Sequence, residues 1–368
     1  MKSVLGILNM QEKNDLIRDL TAARAVEALP FAGRYRLLDF SLSSMVNSRI
    51  TSVGVMLPDW SRSVLDHIRS GKDWDLARRR GGLAYLPASI DRSDSRVGDL
   101  KDLYFNLDYV EFGDKKYVLL ANASFVYNID FTNVLKFLQD NSGDIAIVYY
   151  TAKEDAAGKN VVLETSTNGI VTDIAEASSV KKDTKVAMGA YLMPVPTFAY
   201  IVRSTYERGG TDFLVDGIIR HAGEYKIMGY GHDGYVAHVD STDAYYKANR
   251  DMLNPATWEE LFMSPRTIYT RVKDEVPVQY KDTASVKNSL VANGCIIRGE
   301  VENSIIFRGV TVGKGAKVKD CILMQRADVQ DGALLENVIC DKNVIITKNK
   351  WLKGAKTYPY IVTKNIMI

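Results

Sequence analysis

SVLGILNMQEKNDLIRDLTAARAVEALPFAGRYRLLDFSLSSMVN, residues 3–47, is the stretch that decides the fold. It opens with the short apolar run VLGIL and closes with Leu38, Leu42 and Met45 at the i, i+4, i+7 spacing of a helix. A second apolar run follows at residues 50–57. Strand, helix and strand in this order predict a βαβ unit, and therefore a parallel sheet.

The loop after the first strand lacks the residues that a phosphate-binding loop needs. Ligands of parallel sheets sit beyond the carboxyl ends of the strands, so a site is expected here. A loop that cradles phosphates uses glycines, because backbone N–H groups must approach the oxygens without a Cβ in the way. Residues 9–18, NMQEKNDLIR, contain no glycine, and they place Glu12 and Asp15 where anionic phosphates would lie. The sequence thus predicts the shape of a nucleotide site without its chemistry.

The composition is that of a globular protein with two domains. The 368 residues exceed a typical single core, and 46% of them are hydrophobic and 25% charged. The net charge of +2 gives no footprint for nucleic acid or a membrane surface. No apolar run approaches membrane length, and Asn9 and Glu12 interrupt any signal-peptide core. Cys295, Cys321 and Cys340 lack CxxC spacing and fit small buried side chains in a reducing compartment, so we expect a cytoplasmic protein.

The first 254 residues alternate strand and helix patterns. Asn168-Gly169 predicts a hairpin insert, and residues 187–193 and 235–239 are expected to complete the sheet. Thr242 is expected to cap a helix that stops before Pro255. We therefore predict an α/β domain over residues 1–254.

The tail changes period. VENSII, VKDCIL and LENVIC, which start at Val301, Val318 and Leu335, follow one another at a step of 17 residues. Aliphatic residues recur five or six apart within each step, as in a hexapeptide β-helix, although a β-sandwich of short strands is an alternative. Because no histidine lies in these repeats to act as a base, an acyltransferase site is not expected there. We predict a linker over residues 255–282 and a β-helix domain over residues 283–368.

Four segments carry a resemblance to a known family. They are ALPFAGRYRLLDFSLSSMVNS at residues 28–48, VAMGAYL at 186–192, TDAYYKANRDML at 242–253 and VENSIIFRGVTVGKGA at 301–316. The chain resembles the ADP-glucose pyrophosphorylase (glucose-1-phosphate adenylyltransferase) family, and within it the GlgD-type subunits that accompany a separate catalytic subunit. The resemblance implies a Rossmann-like, mostly parallel nucleotidyltransferase domain, a left-handed hexapeptide β-helix and a role in glycogen biosynthesis.

The departures from this family fall where its chemistry lies. Catalytic members hold the triphosphate with a GGxGxRL loop, and the matching place here begins at Asn9 and has no glycine. The lysine of their RAKPA segment, which offsets phosphate charge, falls at Val26. The aspartate that holds Mg²⁺ falls at Ser124, and the second metal-binding aspartate falls at His238. The lysine that binds the sugar phosphate falls at Ala177.

These five degenerate positions predict a pseudoenzyme. Nucleotidyl transfer between two anions needs Mg²⁺ and cations to offset repulsion in the transition state. We therefore expect no catalytic residue, no metal site and no cofactor in this chain, with Mg²⁺ only in a catalytic partner. Two alternatives are that Asp240 replaces a metal ligand by a register shift and that Ser124 still binds a phosphate.

Other family positions are retained. Effector phosphates bind near the opening segment in this family, and Arg24 and Arg36 fall on matching positions. The structural alternative is that both arginines pair with acids inside the fold. A vestigial cleft would contain Ser124 with three further residues, and two of these, the aspartates, fit helix caps equally well. Those three residues are Asp130, Gly189 and Asp212.

Three functions follow from the resemblance. The first is a regulatory or stabilising subunit of a heteromeric ADP-glucose pyrophosphorylase, expected to be a tetramer with the catalytic subunit and to respond to a sugar-phosphate effector. The second is an active glucose-1-phosphate adenylyltransferase with a rebuilt phosphate loop. The third is a nucleotide or sugar-phosphate sensor, and Ala177 argues against it.

Overall fold

The computed structural model describes residues 1–12, 15–89 and 96–368. Within them, the α/β domain is built on a nine-stranded sheet. Seven strands lie in the order Val171–Val180, Ala156–Thr165, Lys185–Pro194, Tyr117–Asn122, Val4–Asn9, Ser52–Met56 and Gly82–Leu86, and Ile145–Thr151 and Ile227–Gly231 extend the sheet from Lys185–Pro194.

The predicted βαβ unit is present at the centre of this sheet. Val4–Asn9 pairs in parallel with Ser52–Met56 on one side and Tyr117–Asn122 on the other. Leu38–Asn47 is the connecting helix, and it packs Leu38, Leu42 and Met45 into the core. The hairpin at Asn168-Gly169 also forms, since the strands on either side of it pair antiparallel. The sheet therefore has a parallel centre and a mixed edge.

Helices cover both faces of the sheet, and two apolar clusters fill the space beneath them. The described α-helices are Arg18–Thr21, Leu38–Asn47, Arg62–Ile68, Asp99–Phe105, Leu107–Glu111, Phe131–Asp140, Val195–Glu207, Thr242–Asp251 and Pro255–Phe262. Val26–Ala28 and Lys72–Trp74 are 3-10 helices, and Phe213–Ile219 is a π-helical turn. None of the helices in the described ranges is long and apolar enough to cross a membrane.

Two predicted elements at the end of this domain are wrong in detail. Of residues 235–239, only Ala237–His238 is a strand, and it pairs with Phe125–Val126 in a separate two-stranded sheet. The main sheet is completed instead by Ile227–Gly231, whose two glycines weaken its strand pattern in the sequence. The N-cap of helix Thr242–Asp251 is Ser241 and not Thr242, because the Ser241 hydroxyl accepts from the backbone N of Ala244 at 3.2 Å.

The segment 255–282, predicted as a linker, is partly structured. Pro255–Phe262 is a helix because the Asn254 side chain accepts from the backbone N of Ala256 at 3.1 Å and proline suits the first helical position. Gln279–Tyr280 already pairs with Ile296–Ile297, so the β-helix begins before residue 283.

The tail forms three five-stranded parallel sheets, the arrangement of the predicted left-handed hexapeptide β-helix. Val301, Val318 and Leu335 lie in register at the 17-residue step, and the first coil pairs Val286 with Val301 at a shorter step. The three sheets consist of Gln279–Tyr280, Ile296–Ile297, Thr311–Val312, Asp328–Val329 and Ile345–Ile346; of Ser285–Lys287, Glu300–Glu302, Lys317–Lys319, Leu334–Glu336 and Trp351–Lys353; and of Leu290–Val291, Ile305–Ile306, Ile322–Leu323, Val338–Cys340 and Tyr360–Val362.

The two domains share a third apolar cluster. Phe31, Phe40 and Tyr245 of the α/β domain are buried with Ile305 and Phe307 of the β-helix. Two short strands, Pro30–Phe31 and Tyr35–Arg36, form the hairpin that reaches this contact. The three cysteines are buried and unbonded inside the β-helix, as the sequence predicted. The opening segment therefore contributes to the sheet, the cleft and the domain interface.

Candidate functional site

Two parallel strands end side by side at the mouth of a cavity of about 260 Å³. Asn9 and Asn122 are the last residues of these strands and are in register. Gly189 faces them with φ of +65°, and a Cβ there would come within 2.8 Å of the Asn122 Cβ. The cavity is lined by Asn9, Gln11, Glu12, Val97, Gly98, Asp99, Leu120, Asn122, Phe125, Lys159, Asn160, Val161, Glu176, Ala187, Gly189, Tyr191, Thr211, Asp212, Leu214, Val215 and His238.

The Glu12 carboxylate is held inside the cleft by three donors. Its Oε2 accepts from Nε2 of His238 at 3.0 Å, from Oγ of Ser124 at 2.7 Å and from Nδ2 of Asn122 at 3.0 Å. Burial alone would raise the pKa of Glu12, but the charge of His238 and these hydrogen bonds lower it to about 2. A permanent negative charge therefore lies at the end of the first strand, where a phosphate-binding loop would place donors.

His238 is positioned by the two-stranded sheet. It lies opposite Phe125 in the strand pair, and the two rings stack at a centroid distance of 4.1 Å with planes 1° apart. Burial would lower the pKa of His238, but the charge of Glu12 and the hydrogen bond to it raise the pKa overall. The Glu12 carboxylate therefore favours the protonated form of the imidazole, which donates to it.

A second carboxyl group, that of Glu27, contacts the backbone of Glu12. Oε1 of Glu27 accepts from the backbone N of Glu12 at 3.0 Å, and Glu27 is only 1% exposed. Burial raises the pKa of Glu27 to about 8, with Glu12 adding to the shift and two backbone hydrogen bonds opposing it. Glu27 is therefore neutral at pH 7.

Asp99 and Asp212 form the opposite wall. Asp99 accepts from Nδ2 of Asn9 at 2.8 Å and from the backbone N of Phe213 at 2.9 Å. Burial, followed by the neighbouring charge of Asp212, raises the pKa of Asp99 to about 7. Asp212 caps the π-helical turn through the backbone N atoms of Leu214 and Val215. Carboxyl groups thus face the cavity from two sides.

The structure brings only part of the predicted site together. Asn9, Gly189, Asp212 and His238 line the cavity, while Ser124 contacts it through Glu12. The remaining predicted positions, Val26, Ala177 and Asp130, lie outside the lining, because Val26 is buried in the shared apolar cluster, Ala177 pairs with Asn160 on the hairpin, and Asp130 caps helix Phe131–Asp140.

Asp15 also lies away from the cleft, where it pairs with Arg18 at 3.1 Å and both side chains are exposed. Lys13 and Asn14 of the same predicted loop lie outside the described residues. Asp99 belongs to no motif, and Glu27 stands beside Val26 in the segment that matches RAKPA. Only the fold shows that both carboxyl groups are buried, so the sequence alone does not single them out. Asp240 is not part of the cavity lining.

The donor set does not fit a Mg²⁺ ion. The two positions where the family resemblance places metal-binding aspartates are occupied by a hydroxyl and an imidazole, and both donate to Glu12. A protonated imidazole repels a divalent cation and cannot ligate it. In the parts of the chain that are described, no three His, Cys, Asp or Glu side chains are placed to hold a metal ion.

The two arginines predicted to bind an effector phosphate, Arg24 and Arg36, make different contacts. Arg24 is 6% exposed, and its guanidinium forms an ion pair with Asp341 of the β-helix and donates through Nε to the carbonyl of Leu20 at 2.8 Å. The structural alternative therefore holds for Arg24, and its assignment to phosphate binding is corrected. Arg36 instead donates to the carbonyl of Ser63 at 2.6 Å. Burial and the charges of Arg24 and Arg271 lower the pKa of Arg36 to about 10, against the influence of Asp39.

Arg36 faces a group of cations at the junction of the domains. We call Arg36, Arg271, Lys273, Arg308 and Lys342 the basic junction. Burial and the charges of Arg36 and Arg24 lower the pKa of Lys342 to about 7, against the influence of Asp341. Burial and four neighbouring arginines, Arg308 first, lower the pKa of Lys273. Nε of Arg308 is buried without a hydrogen-bond partner in the described chain. Asp39, Glu275 and Asp341 offset part of this positive charge, and a bound anion would offset more of it.

The chain matches two family models that divide it as the fold does. Residues 16–254 match the nucleotidyl transferase model, and residues 275–352 match the GlmU-like C-terminal hexapeptide model. Similar proteins cover almost the whole chain. Glycogen biosynthesis protein GlgD of Bacillus subtilis (strain 168) is 34% identical over 99% of this chain and 96% of its own length.

The chain belongs to the GlgD and glucose-1-phosphate adenylyltransferase family of nucleotidyl transferases. GlgD of Geobacillus stearothermophilus is 36% identical over 98% of this chain and 96% of its own length. Glucose-1-phosphate adenylyltransferase of Clostridium perfringens (strain 13 / Type A) is 30% identical over 100% of this chain and 95% of its own length. The family resemblance and the fold class predicted from the sequence are thereby confirmed.

Proposed function

We propose that this chain is a non-catalytic regulatory subunit of a heteromeric ADP-glucose pyrophosphorylase in glycogen synthesis. It would associate with a catalytic subunit that makes ADP-glucose from glucose-1-phosphate and ATP, and it would shift that subunit between conformations of different activity. Such a subunit acts only if it binds the active conformation better than the inactive one. Its similarity to GlgD proteins supports the role in glycogen synthesis, and we expect it in the cytoplasm.

One observation carries the proposal of no intrinsic activity. The Glu12 carboxylate, with a pKa of about 2, lies in the cleft and is bonded to His238, Ser124 and Asn122. A triphosphate placed there would meet the Glu12 carboxylate, and its cationic neighbour among the described residues, His238, is already bonded to that carboxylate. Losing one charged transition-state contact typically costs about 2.7–4 kcal/mol, and here a hydroxyl and an imidazole stand where the family resemblance places two metal-binding aspartates.

The basic junction supports a regulatory role. It combines cations of the opening segment with cations of the β-helix. The ion pair between Arg24 and Asp341 joins the same two parts. We propose that an anionic effector such as a sugar phosphate binds there, with Arg36 and Lys342 as contacts. Because the site spans two domains, an anion bound in it would favour one relative placement of these domains.

The experiment is synthesis of ADP-glucose by this chain alone, by a catalytic glucose-1-phosphate adenylyltransferase subunit alone, and by the two mixed. Each is measured across Mg²⁺ and sugar-phosphate concentrations. We expect no rate from this chain alone and a mixture that differs from the catalytic subunit in rate or effector response. Mixtures containing Arg36→Met should lose part of the effector response, whereas Arg78→Met, which changes an exposed loop residue, should not.

Two results would overturn the proposal. A Mg²⁺-dependent rate from the purified chain alone would show an active enzyme with a rebuilt loop. A mixture identical to the catalytic subunit in rate and effector response, despite co-purification of both chains, would remove the regulatory role.

A further inference from the structure

One face of the β-helix is turned to solvent along its whole length. The sheet from Ser285–Lys287 to Trp351–Lys353 consists of three-residue strands, and the middle residue of each strand packs inward. Because the strands pair in register, the flanking side chains form two outward columns. The first column is Ser285, Glu300, Lys317, Leu334 and Trp351, and the second is Lys287, Glu302, Lys319, Glu336 and Lys353.

The last two coils of the first column carry apolar side chains. Leu334 is 38% exposed and Trp351 is 69% exposed. They are paired in register on strands about 4.8 Å apart, so their side chains adjoin. Single exposed apolar side chains are common on protein surfaces, but adjoining ones on a regular face are typical of contact surfaces. This end of the face is therefore a candidate interface.

An ion pair borders the two apolar side chains. In the second column, Nζ of Lys353 lies 2.9 Å from Oε2 of Glu336, and both side chains are partly exposed. An exposed pair of this kind adds little to the stability of the chain, so its charges are free to take other partners. We call Leu334, Glu336, Trp351 and Lys353 the terminal patch.

The terminal patch is complementary to a second copy of itself. A twofold axis along the strand direction, midway between Leu334 and Trp351, reverses the order of the coils in the second copy. Leu334 then lies over Trp351 of the second copy, and Glu336 faces Lys353 of the second copy. Apolar groups meet apolar groups at the centre, and each charge meets its opposite at the rim.

The other twofold arrangement is disfavoured by charge. An axis along the columns would keep the order of the coils and would place the first column of one copy against the second column of the other. Glu300 would then face Glu302, and Lys317 would face Lys319. Like charges in direct contact across an interface lower affinity. The order of charges therefore selects the arrangement in which the coils of the two copies run in opposite directions.

We propose that two copies of this chain associate through the terminal patch. Trp351 of each copy packs on Leu334 of the other, and two pairs between Glu336 and Lys353 border the contact. Because the contact covers only two coils, it belongs with transient interfaces of less than about 1,200 Å². This inference stands apart from the proposed function, since it concerns copies of one chain and needs no catalytic subunit.

The test is sedimentation-velocity ultracentrifugation of the full chain at concentrations from about 1 to 300 μM. We expect a dimer with a dissociation constant of about 10–100 μM, in keeping with a small interface. Trp351→Ser should weaken the dimer at least about tenfold without changing the melting temperature, because this side chain is 69% exposed in the single chain. Trp60→Ser, which changes a tryptophan of the α/β domain that is 59% exposed, is the matched control and should dimerise like the parent.

Charge-reversal variants test the pairs at the rim. Lys353→Glu and Glu336→Lys should each dimerise at least about tenfold more weakly when alone, because like charges then meet across the axis. Mixed in equal amounts, they should recover a dimer close to the parent's affinity, because the acidic groups of one variant face the basic groups of the other. Lys317→Glu and Glu300→Lys change an ion pair of the same face outside the terminal patch, and each should dimerise like the parent.

Three outcomes would overturn the inference. They are a chain that stays monomeric at about 300 μM, a dimer that Trp351→Ser leaves unchanged, and a mixture of the two charge variants that associates no more tightly than either variant alone. Loss of a catalytic subunit in Trp351→Ser, for a chain that is monomeric by itself, would show that a different chain covers the terminal patch. None of the sedimentation results depends on the rate or effector response of a mixed assembly.

Discussion

The cleft and the basic junction differ in how their charged side chains are compensated. In the cleft, Glu12 is neutralised by a histidine and two polar side chains within 3.0 Å. At the junction, burial and then the charges of Arg36 and Arg24 lower the pKa of Lys342 to about 7. The carboxylate of the first region has its hydrogen-bond donors within the chain, whereas the second region is where we propose that an anion binds. On the proposed function, the cleft has no place for an anion and the basic junction has one.

The opening segment contributes to both regions. Glu12 lines the cleft, with Glu27 bonded to its backbone N, while Arg36 belongs to the basic junction. Only 24 residues separate Glu12 from Arg36 (36 − 12). The segment is therefore the covalent connection between cleft and junction. Substitutions within it test the comparison directly.

The largest effect is expected from breaking the buried ion pair between Arg24 and Asp341. Arg24→Met leaves the Asp341 carboxylate buried and unpaired, which should lower the free energy of unfolding by about 3–5 kcal/mol. Urea unfolding measures this loss. The control is Arg18→Met, whose partner Asp15 is exposed, and it should change stability by less than about 1 kcal/mol.

A double variant sharpens this result. Arg24→Met with Asp341→Leu removes both charges and should recover most of the loss, because similarly sized apolar groups replace the pair. If Arg24→Met unfolds like Arg18→Met, the pair does not join the two domains.

The second largest effect is expected at Glu12. Because the pKa of Glu12 is lowered from 4.5 to about 2, its contribution to stability is present above about pH 4.5 and is lost as the pH falls toward 2. Because the pKa of His238 is raised, its contribution is complete below its ordinary value of 6.5 and is lost as the pH rises through the raised value. Glu12→Gln should therefore cost about 2–3 kcal/mol between roughly pH 4.5 and 6.5, and less on either side.

Thermal melts from about pH 3 to 9 measure the difference in stability between Glu12→Gln and the parent, because this range covers both titrations. Asp15→Asn, an exposed change in the same segment, is the matched control. A difference between Glu12→Gln and the parent that does not vary with pH would show that Glu12 acts by packing and not by charge.

The sequence predicted more of the architecture than of the site. The apolar run before Asn9 and the spacing of Val301, Val318 and Leu335 dictate which side chains are buried, so strand, helix and coil followed from local pattern. Ile227–Gly231 was missed because two glycines interrupt its pattern, and only pairing with Ile145–Thr151 makes it a strand.

The partners inside the site depended on tertiary contacts. Glu12 and His238 are 226 residues apart, and Arg24 and Asp341 are 317 apart. No local pattern relates such residues. The sequence could name Glu12 as out of place in a phosphate-binding loop and Arg24 as a retained family position. It could not show that Glu12 is bonded to His238 and that Arg24 is paired with Asp341 of the β-helix.

A smaller effect of opposite sign is expected at Glu27. Burial raises the pKa of Glu27 from 4.5 to about 8, so the folded state holds a proton that the unfolded state releases between these pH values. The parent therefore loses stability from this group as the pH rises from about 4.5 to 8. Glu27→Gln avoids this cost and should be more stable than the parent by about 1–2 kcal/mol at pH 8, with little difference at pH 4.

Urea unfolding at pH 4 and pH 8 measures this gain, with Glu259→Gln as an exposed control that should be neutral at both values. Equal stability of Glu27→Gln and the parent at pH 8 would show that the Glu27 carboxyl finds a charge partner, and the cleft would then hold a further cation.

The smallest effect concerns anion binding at the junction. Because the pKa of Lys342 is lowered to about 7, part of its charge is absent at neutral pH until an anion restores it. Sulfate, whose own charge does not change over this range, should bind more tightly as the pH falls from about 8 to 6.

Lys342→Met should bind sulfate about tenfold more weakly at pH 6 and should lose most of this pH dependence. Lys348→Met, an exposed change on the same β-helix, should behave like the parent in calorimetric titrations. If Lys342→Met retains the parent's affinity for sulfate and its pH dependence, the anion lies elsewhere, and the contrast between a cleft without an anion site and a junction with one fails. If sulfate binding no longer depends on pH in Lys342→Met, and Arg36→Met also binds sulfate weakly, then Lys342 is the group whose protonation controls binding. Arg36 then supplies a separate part of the affinity for sulfate.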